Sequence, residues 1–197
     1  MCLVKYFCFV LVLHFIMINQ VRGYKSIIWQ YKTAFTKTQI YSHIEFTNFK
    51  CTSMNKEVAD FEYCSLKSVN RTYQYISTRI KVHKLLNSLK VNFGLHQQIN
   101  GYKPFLYNIT FDGCQFIKNT KSNVVAKYFY DFIRNISNLN HSCPYNHDII
   151  MDKLTSDTIN SRLPKVLPFP TGNYMFQTYW IANEKYRAVT KIYFCLY

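Results

Sequence analysis

The histidines and acidic residues offer little from which a catalytic or metal site could be built. His141, His147 and Asp148 come nearest to a cluster, but the Cys-x-x-Cys and His-x-x-x-His spacings typical of metal ligands are absent. No two of the ten carboxylates are placed for general acid–base chemistry. No nucleophile elbow and no phosphate-binding glycine loop occurs. We therefore predict no catalytic residue, no metal ligand, no cofactor and no enzymatic activity.

The cysteines outside the N-terminal segment predict disulfide bonds. Cys51 and Cys64 flank a polar stretch between two strand-like segments, which suggests a stapled hairpin. Cys114 and Cys143 bracket the one convincing helical segment. Each bond would stabilise the folded chain by about 2–4 kcal/mol in an oxidising compartment. The sequence alone allows other pairings. Cys195 is then left unpaired, either as a buried thiol in the last strand or as the link of a covalent dimer.

The first 23 residues have the pattern of a secretory signal peptide. One basic residue precedes an uncharged apolar run of 13 residues, Tyr6 to Ile18, which is too short for a membrane span of about 20 residues. We therefore predict a signal peptide at 1–23, one secreted extracellular domain at 24–197, and no transmembrane segment. Four glycosylation motifs fit this location, at Asn70, Asn108, Asn135 and Asn140, of which Asn70 and Asn108 are favoured.

The chain is strongly basic, with a formal net charge of +14. Loss of Lys5 and Arg22 with the signal peptide lowers this charge to +12. The densest basic stretch comprises Arg79, Lys81, Lys84 and Lys90. A solvated surface is the commoner interpretation. The functional alternative is attraction to an anionic lipid headgroup, a glycosaminoglycan or an acidic receptor surface, and secretion argues against nucleic acid as a partner.

Hydrophobic periodicity predicts a mainly β protein with one helix. Tyr and Phe number 17 and 16, and such aromatic residues favour strands. Residues 89–95 alternate between apolar and polar types, and Asn183-Glu184-Lys185 separates two strand-like runs as a hairpin turn. Residues 122–137 have helical spacing, with Ser122 as the N-cap. We predict an antiparallel, immunoglobulin-like β-sandwich of seven or eight strands with one packed helix.

The apolar faces of these elements predict either a filled core or a ligand cavity between the sheets. Periodicity does not distinguish the two, because both require the same residues to face inward. The candidate lining residues are Phe93, Leu95, Phe105, Phe129, Phe132, Phe176 and Trp180.

Five segments in the same order along the chain resemble a known family. They are FTNFKC at 46–51, FEYCSLKSVNRTY at 61–73, NGYKPFLYN at 100–108, NHSCPYNHD at 140–148 and LPFPTGNY at 167–174. They resemble a family of secreted insect proteins, expanded in fruit flies and known mainly as a domain of unknown function. That family is similar to the chemosensory CheB proteins and, more distantly, to the ML lipid-recognition domains. The resemblance begins at about residue 46 and reaches the end of the chain.

The resemblance implies an ML-type β-sandwich with an apolar cavity and no catalytic residue. ML domains commonly carry three disulfide bonds, whereas the five cysteines after the signal peptide close at most two within the chain. The leading hypothesis is a secreted glycoprotein that binds a lipid or another hydrophobic molecule, such as a semiochemical. The alternative is an extracellular protein-interaction module with a filled core and a basic, glycosylated surface.

Overall fold

The computed structural model describes residues 42–70, 73–163 and 169–197. The chain divides into two units, Met1–Ile40 and Tyr41–Tyr197, and all described residues belong to the second unit. The predicted signal peptide at 1–23 and the start of the secreted domain at residue 24 lie outside the described residues. Both stay predictions.

Strands dominate the part of the chain that the structure describes. Its elements, in chain order, are β1 (Ile44–Ser53), β2 (Ala59–Ser68), β3 (Gln74–Val82), β4 (Lys90–Gln98), β5 (Tyr102–Asp112), α1 (Gly113–Lys118), a 3₁₀ turn (Thr120–Ser122), α2 (Val124–Ile133), β6 (Ile149–Thr155), α3 (Ser156–Asn160), β7 (Gly172–Ala182) and β8 (Lys185–Leu196).

The strands form two antiparallel sheets that pack face to face. The larger sheet has the order β1-β8-β7-β4-β5, and the smaller sheet has the order β2-β3-β6. Phe46 and Phe49 of the larger sheet share one apolar cluster with Ile76 and Leu154 of the smaller sheet. This shared core makes the two sheets a sandwich. The predicted mainly β, antiparallel two-sheet fold is thereby confirmed.

The main helix is shorter than the predicted span of 122–137. It begins after Asn123, whose side chain accepts a hydrogen bond from the Ala126 amide, so the prediction of Ser122 as the N-cap was wrong. The helix ends at Ile133 because the chain beyond it pairs with β6: the Asp152 amide donates to the Ile136 carbonyl at 2.8 Å. Two shorter helices, α1 and α3, were not predicted.

The two disulfide bonds have the predicted pairing, but one of them joins the two sheets instead of the two strands of one hairpin. Cys51 in β1 bonds Cys64 in β2, and these strands belong to opposite sheets. The bond therefore joins the two layers, and the prediction of a stapled hairpin was wrong. Cys114 in α1 bonds Cys143 in the segment before β6. Cys195 is a half-buried free thiol in β8.

Candidate functional site

Three of the seven predicted lining residues pack tightly on one another between α2 and the larger sheet. The ring of Phe129 in α2 lies 5.1 Å from that of Phe93 and 4.8 Å from that of Phe176, and the last two rings are 5.4 Å apart. These separations are typical of favourable aromatic pairs. The helix thus covers the part of the larger sheet where β4 and β7 lie, and its rings fill the space there.

The other four predicted residues are distributed over different parts of the core. Leu95 and Phe105 belong to a cluster around the buried Tyr174. Phe132 belongs to the cluster shared by the two sheets. Trp180 packs against the cluster that contains Phe93 and also borders an apolar cavity. The structure therefore does not bring the seven side chains into one lining, and their role in ligand binding stays a prediction.

An apolar cavity of about 20 Å³ lies between the sheets, at the end of the sandwich that contains the β7–β8 turn. Both sheets and the β3–β4 connection contribute to its lining, which consists of Ala59, Ile80, Val82, Leu86, Leu89, Ile149, Trp180, Ala182, Arg187 and Ala188. Alanine occupies three of these positions, so short side chains leave the space open. The cavity has room for about one water molecule, whereas small-ligand pockets measure about 300–1,000 Å³.

Arg187 is the only charged residue of this cavity lining. Its Nε donates a hydrogen bond to the Ala182 carbonyl at 3.1 Å. Among the described residues, Arg187 takes part in no ion pair. A half-buried guanidinium beside an apolar space can bind a carboxylate or phosphate through its remaining N–H donors.

Two polar contacts join the β7–β8 turn to the start of β4 and to the residue two positions before it. Lys90 Nζ forms an ion pair with Glu184 at 2.7 Å, and Asn183 contacts Ser88 through hydrogen bonds of 3.2 and 3.3 Å. Asn183 and Glu184 have φ values of 50° and 59°, as expected for the two central residues of a tight hairpin turn. The predicted C-terminal hairpin is present, and its turn directly follows Ala182 of the cavity lining.

The densest basic stretch is neutralised by neighbouring carboxylates. Its four residues all form ion pairs: Arg79 with Glu62 and Asp148, Lys81 with Glu62, Lys84 with Glu57, and Lys90 with Glu184. The hydrogen bond from Arg79 lowers the pKa of the Asp148 carboxyl. This stretch is therefore a charge-balanced surface, and Arg187 is the better candidate for contact with an anion.

The four predicted glycosylation sites lie on the surface of the protein. All four asparagines, Asn70, Asn108, Asn135 and Asn140, are exposed, and their glycosylation stays a prediction.

No group of three or more His, Cys, Asp or Glu side chains suited to a metal ion occurs among the described residues. No helix within the described ranges is long and apolar enough to cross a membrane.

The chain is similar in part to a family without an assigned function. Residues 91–176, from β4 into β7, match the model described as "Protein of unknown function (DUF1091)". None of the curated proteins compared with the chain matches it.

Two solved structures share a weak overall likeness with the chain. A Niemann-Pick type C2 protein from the Japanese carpenter ant is 12% identical, with 77% of this chain and 90% of that chain covered and a TM-score of 0.32. Chicken MD-1 complexed with lipid IVa is 14% identical, with 79% and 97% covered and a TM-score of 0.30.

Proposed function

We propose that this protein is a secreted, non-catalytic binder of a lipid or another hydrophobic small molecule, and that the ligand enters between the sheets at the cavity beside Trp180. The observation that carries the proposal is the position of this cavity. It is apolar, it is lined by both sheets, and it lies at the end of the sandwich that contains the β7–β8 turn. The two disulfide bonds fit an oxidising, extracellular location.

Binding requires the cavity to widen, because its present volume is far below that of a ligand pocket. Two exposed side-chain contacts lie beside this end, the Lys90–Glu184 ion pair and the Ser88–Asn183 hydrogen bond, and both are weak. In the proposed binding step, their opening frees the β7–β8 turn, whose flanking residues Ala182 and Arg187 belong to the cavity lining. An acyl chain or similar apolar group then occupies the space, with an acidic headgroup at Arg187. A hydrophobic semiochemical with one acidic or polar end fits this arrangement.

Native mass spectrometry of the protein secreted from insect cells tests the proposal. We expect a stoichiometric apolar adduct, and extraction with organic solvent identifies its chemical class. A clean mass of protein plus glycans, together with no uptake from a varied panel of fatty acids and other lipids, would contradict the proposal.

Variants that fill the cavity show whether the ligand binds at this place. Ala188→Val and Ala59→Val each add two methyl groups at the lining, so we expect uptake to fall at least tenfold while the fold is retained. Thr52→Val changes an exposed residue of β1 and serves as the control, for which we expect unchanged uptake. Equal uptake by all three variants would place the ligand elsewhere in the protein.

One observation favours the alternative, an extracellular interaction module. The rings of Phe93, Phe129 and Phe176 fill the space beneath α2, as expected of a solid core. In that case the variants at Ala59 and Ala188 change stability alone, and the function resides on the exposed surface. The same mass-spectrometric experiment distinguishes the two, because this alternative predicts no apolar adduct.

A further inference from the structure

Two lysines lie directly opposite each other on the outer face of the larger sheet. Lys50 of β1 pairs in register with Lys191 of β8, so their Cβ atoms are about 4.5–5.5 Å apart. Both side chains point away from the core, because the adjacent residues Phe49 and Ile192 pack into the cluster between the sheets. Like charges in this arrangement destabilise a sheet. An anion bound at the pair would remove the repulsion.

The described residues, which include all ten acidic side chains of the chain, supply no counter-ion to this pair. Neither Lys50 nor Lys191 forms an ion pair with any of them. Six of the acidic side chains pair with other basic residues, and these are Glu57, Asp60, Glu62, Asp131, Asp148 and Glu184. The lysine pair is therefore open to an anion from outside the protein.

The residues around the two lysines suit a sugar that carries an anionic group. Lys50 Nζ lies 5.8 Å from the centroid of the Tyr193 ring, and that ring lies 5.3 Å from the ring of Tyr102. Gln177 of β7 pairs with Lys191 on its other side, and its side-chain amide forms no hydrogen bond with another described residue. Amines attract a sulfate, the amide can bond hydroxyl groups, and tyrosine rings offer an apolar surface to the C–H groups of a sugar.

The aliphatic side chains of this face are covered, which argues against a membrane as the partner. Met175 precedes Gln177 by two residues, Val189 precedes Lys191 by two residues, and they are only 5% and 6% exposed. A protein segment that docks on a bilayer buries apolar side chains in it, and these two are not available. Asn108, a favoured glycosylation site, lies on β5 at the opposite edge of the sheet from β1, so its glycan would begin away from the lysine pair.

We propose that the outer face of the larger sheet binds a sulfated polysaccharide, with a sulfate group between Lys50 and Lys191 and a sugar ring against Tyr193. This site is separate from the cavity, because Ala188 of the same strand faces the space between the sheets. The proposal therefore does not depend on the ligand of the cavity.

The test is the binding of the full secreted protein to immobilised heparin, measured by surface plasmon resonance at about 150 mM salt. Replacing Lys50 and Lys191 together by glutamine should weaken binding about tenfold and lower the slope of log affinity against log salt by about two. Replacing Lys67 and Lys118 together by glutamine removes the same charge from exposed residues of β2 and α1, so the affinity should change less than about twofold. Ala188→Val should leave heparin binding unchanged.

Four results would overturn the proposal. The first is no binding of the parent protein to heparin, and the second is an equal loss of affinity in the two double variants, which would mean general charge attraction. The third is equal binding to heparin from which the sulfate groups have been removed. The fourth is tight binding to vesicles of phosphatidylcholine and phosphatidylserine that the variant at Lys50 and Lys191 loses, which would assign the pair to lipid headgroups. Thermal melting establishes that the variants are folded, and Lys191→Gln alone should melt no lower than the parent because it removes a repulsion.

Discussion

Replacement of Phe129 by alanine measures whether the space beneath α2 is filled. Removal of a core phenylalanine costs about 3–5 kcal/mol, and the half-buried position of Phe129 favours the lower end. This figure already includes the lost ring pairs with Phe93 and Phe176, and the better helix propensity of alanine lowers the cost by about 0.5 kcal/mol. We therefore expect the free energy of unfolding to fall by about 3–4 kcal/mol.

Urea unfolding followed by circular dichroism measures this change, with Tyr128→Ala as the control. Tyr128 is the preceding residue of the same helix and is 38% exposed, so its replacement should cost about 1 kcal/mol. Benzene should raise the melting temperature of Phe129→Ala by filling the new space, and it should leave the parent protein unchanged. A cost below about 1.5 kcal/mol for Phe129→Ala, or stabilisation of the parent by benzene, would mean that the space beneath α2 is already hollow.

Further predictions concern the disulfide bond between the sheets and the response to pH. Replacing Cys51 and Cys64 together by serine should lower the free energy of unfolding by about 3 kcal/mol for their separation of 13 residues; urea titration showing no loss would contradict this. Arg79 lowers the pKa of Asp148, so the stability from this pair is present above about pH 4 and is lost as the pH falls through the lowered value. Melting curves at pH 7 and pH 3 should therefore differ less in Asp148→Asn than in the parent, and equal differences would refute the pairing. Burial raises the pKa of Tyr145 to about 12, so stability present below pH 10 should be lost as the pH rises from about 10 to 12. Tyr145→Phe should remove this dependence, which alkaline melting curves would detect.

The sequence predicts strands well where alternation is regular. β4 follows the alternation of residues 89–95, and the β7–β8 hairpin follows its turn residues. β6 was missed because its burial does not alternate: Lys153 has a φ of 53°, and the pairing with β3 shifts in register between Ile76 and Thr78. A strand with such an irregularity shows no period of two in its sequence.

The features of the site depend on contacts between residues far apart in the chain. The cavity exists because Ala59 of one sheet and Ala188 of the other both border the same space. The neutralisation of the basic stretch depends on Glu62 of β2 facing Arg79 of β3. Neither the cavity nor the ion pair can be predicted from a single sequence, because each depends on the strand register and on how the sheets pack.

The energy needed to open the cavity predicts which ligands bind. Breaking the exposed Lys90–Glu184 pair costs at most about 1 kcal/mol, and losing the Ser88–Asn183 contact costs about 1 kcal/mol more. Each methylene that enters the apolar space contributes about 0.8 kcal/mol, so about three methylenes offset the opening. Affinity for fatty acids should therefore be negligible at four carbons and should rise steeply with each carbon beyond about six. In Glu184→Gln the closing ion pair is absent, so the same series, measured by calorimetry, should begin to bind at a shorter chain. An affinity independent of chain length, or a threshold unmoved in Glu184→Gln, would show that the ligand does not enter through this end.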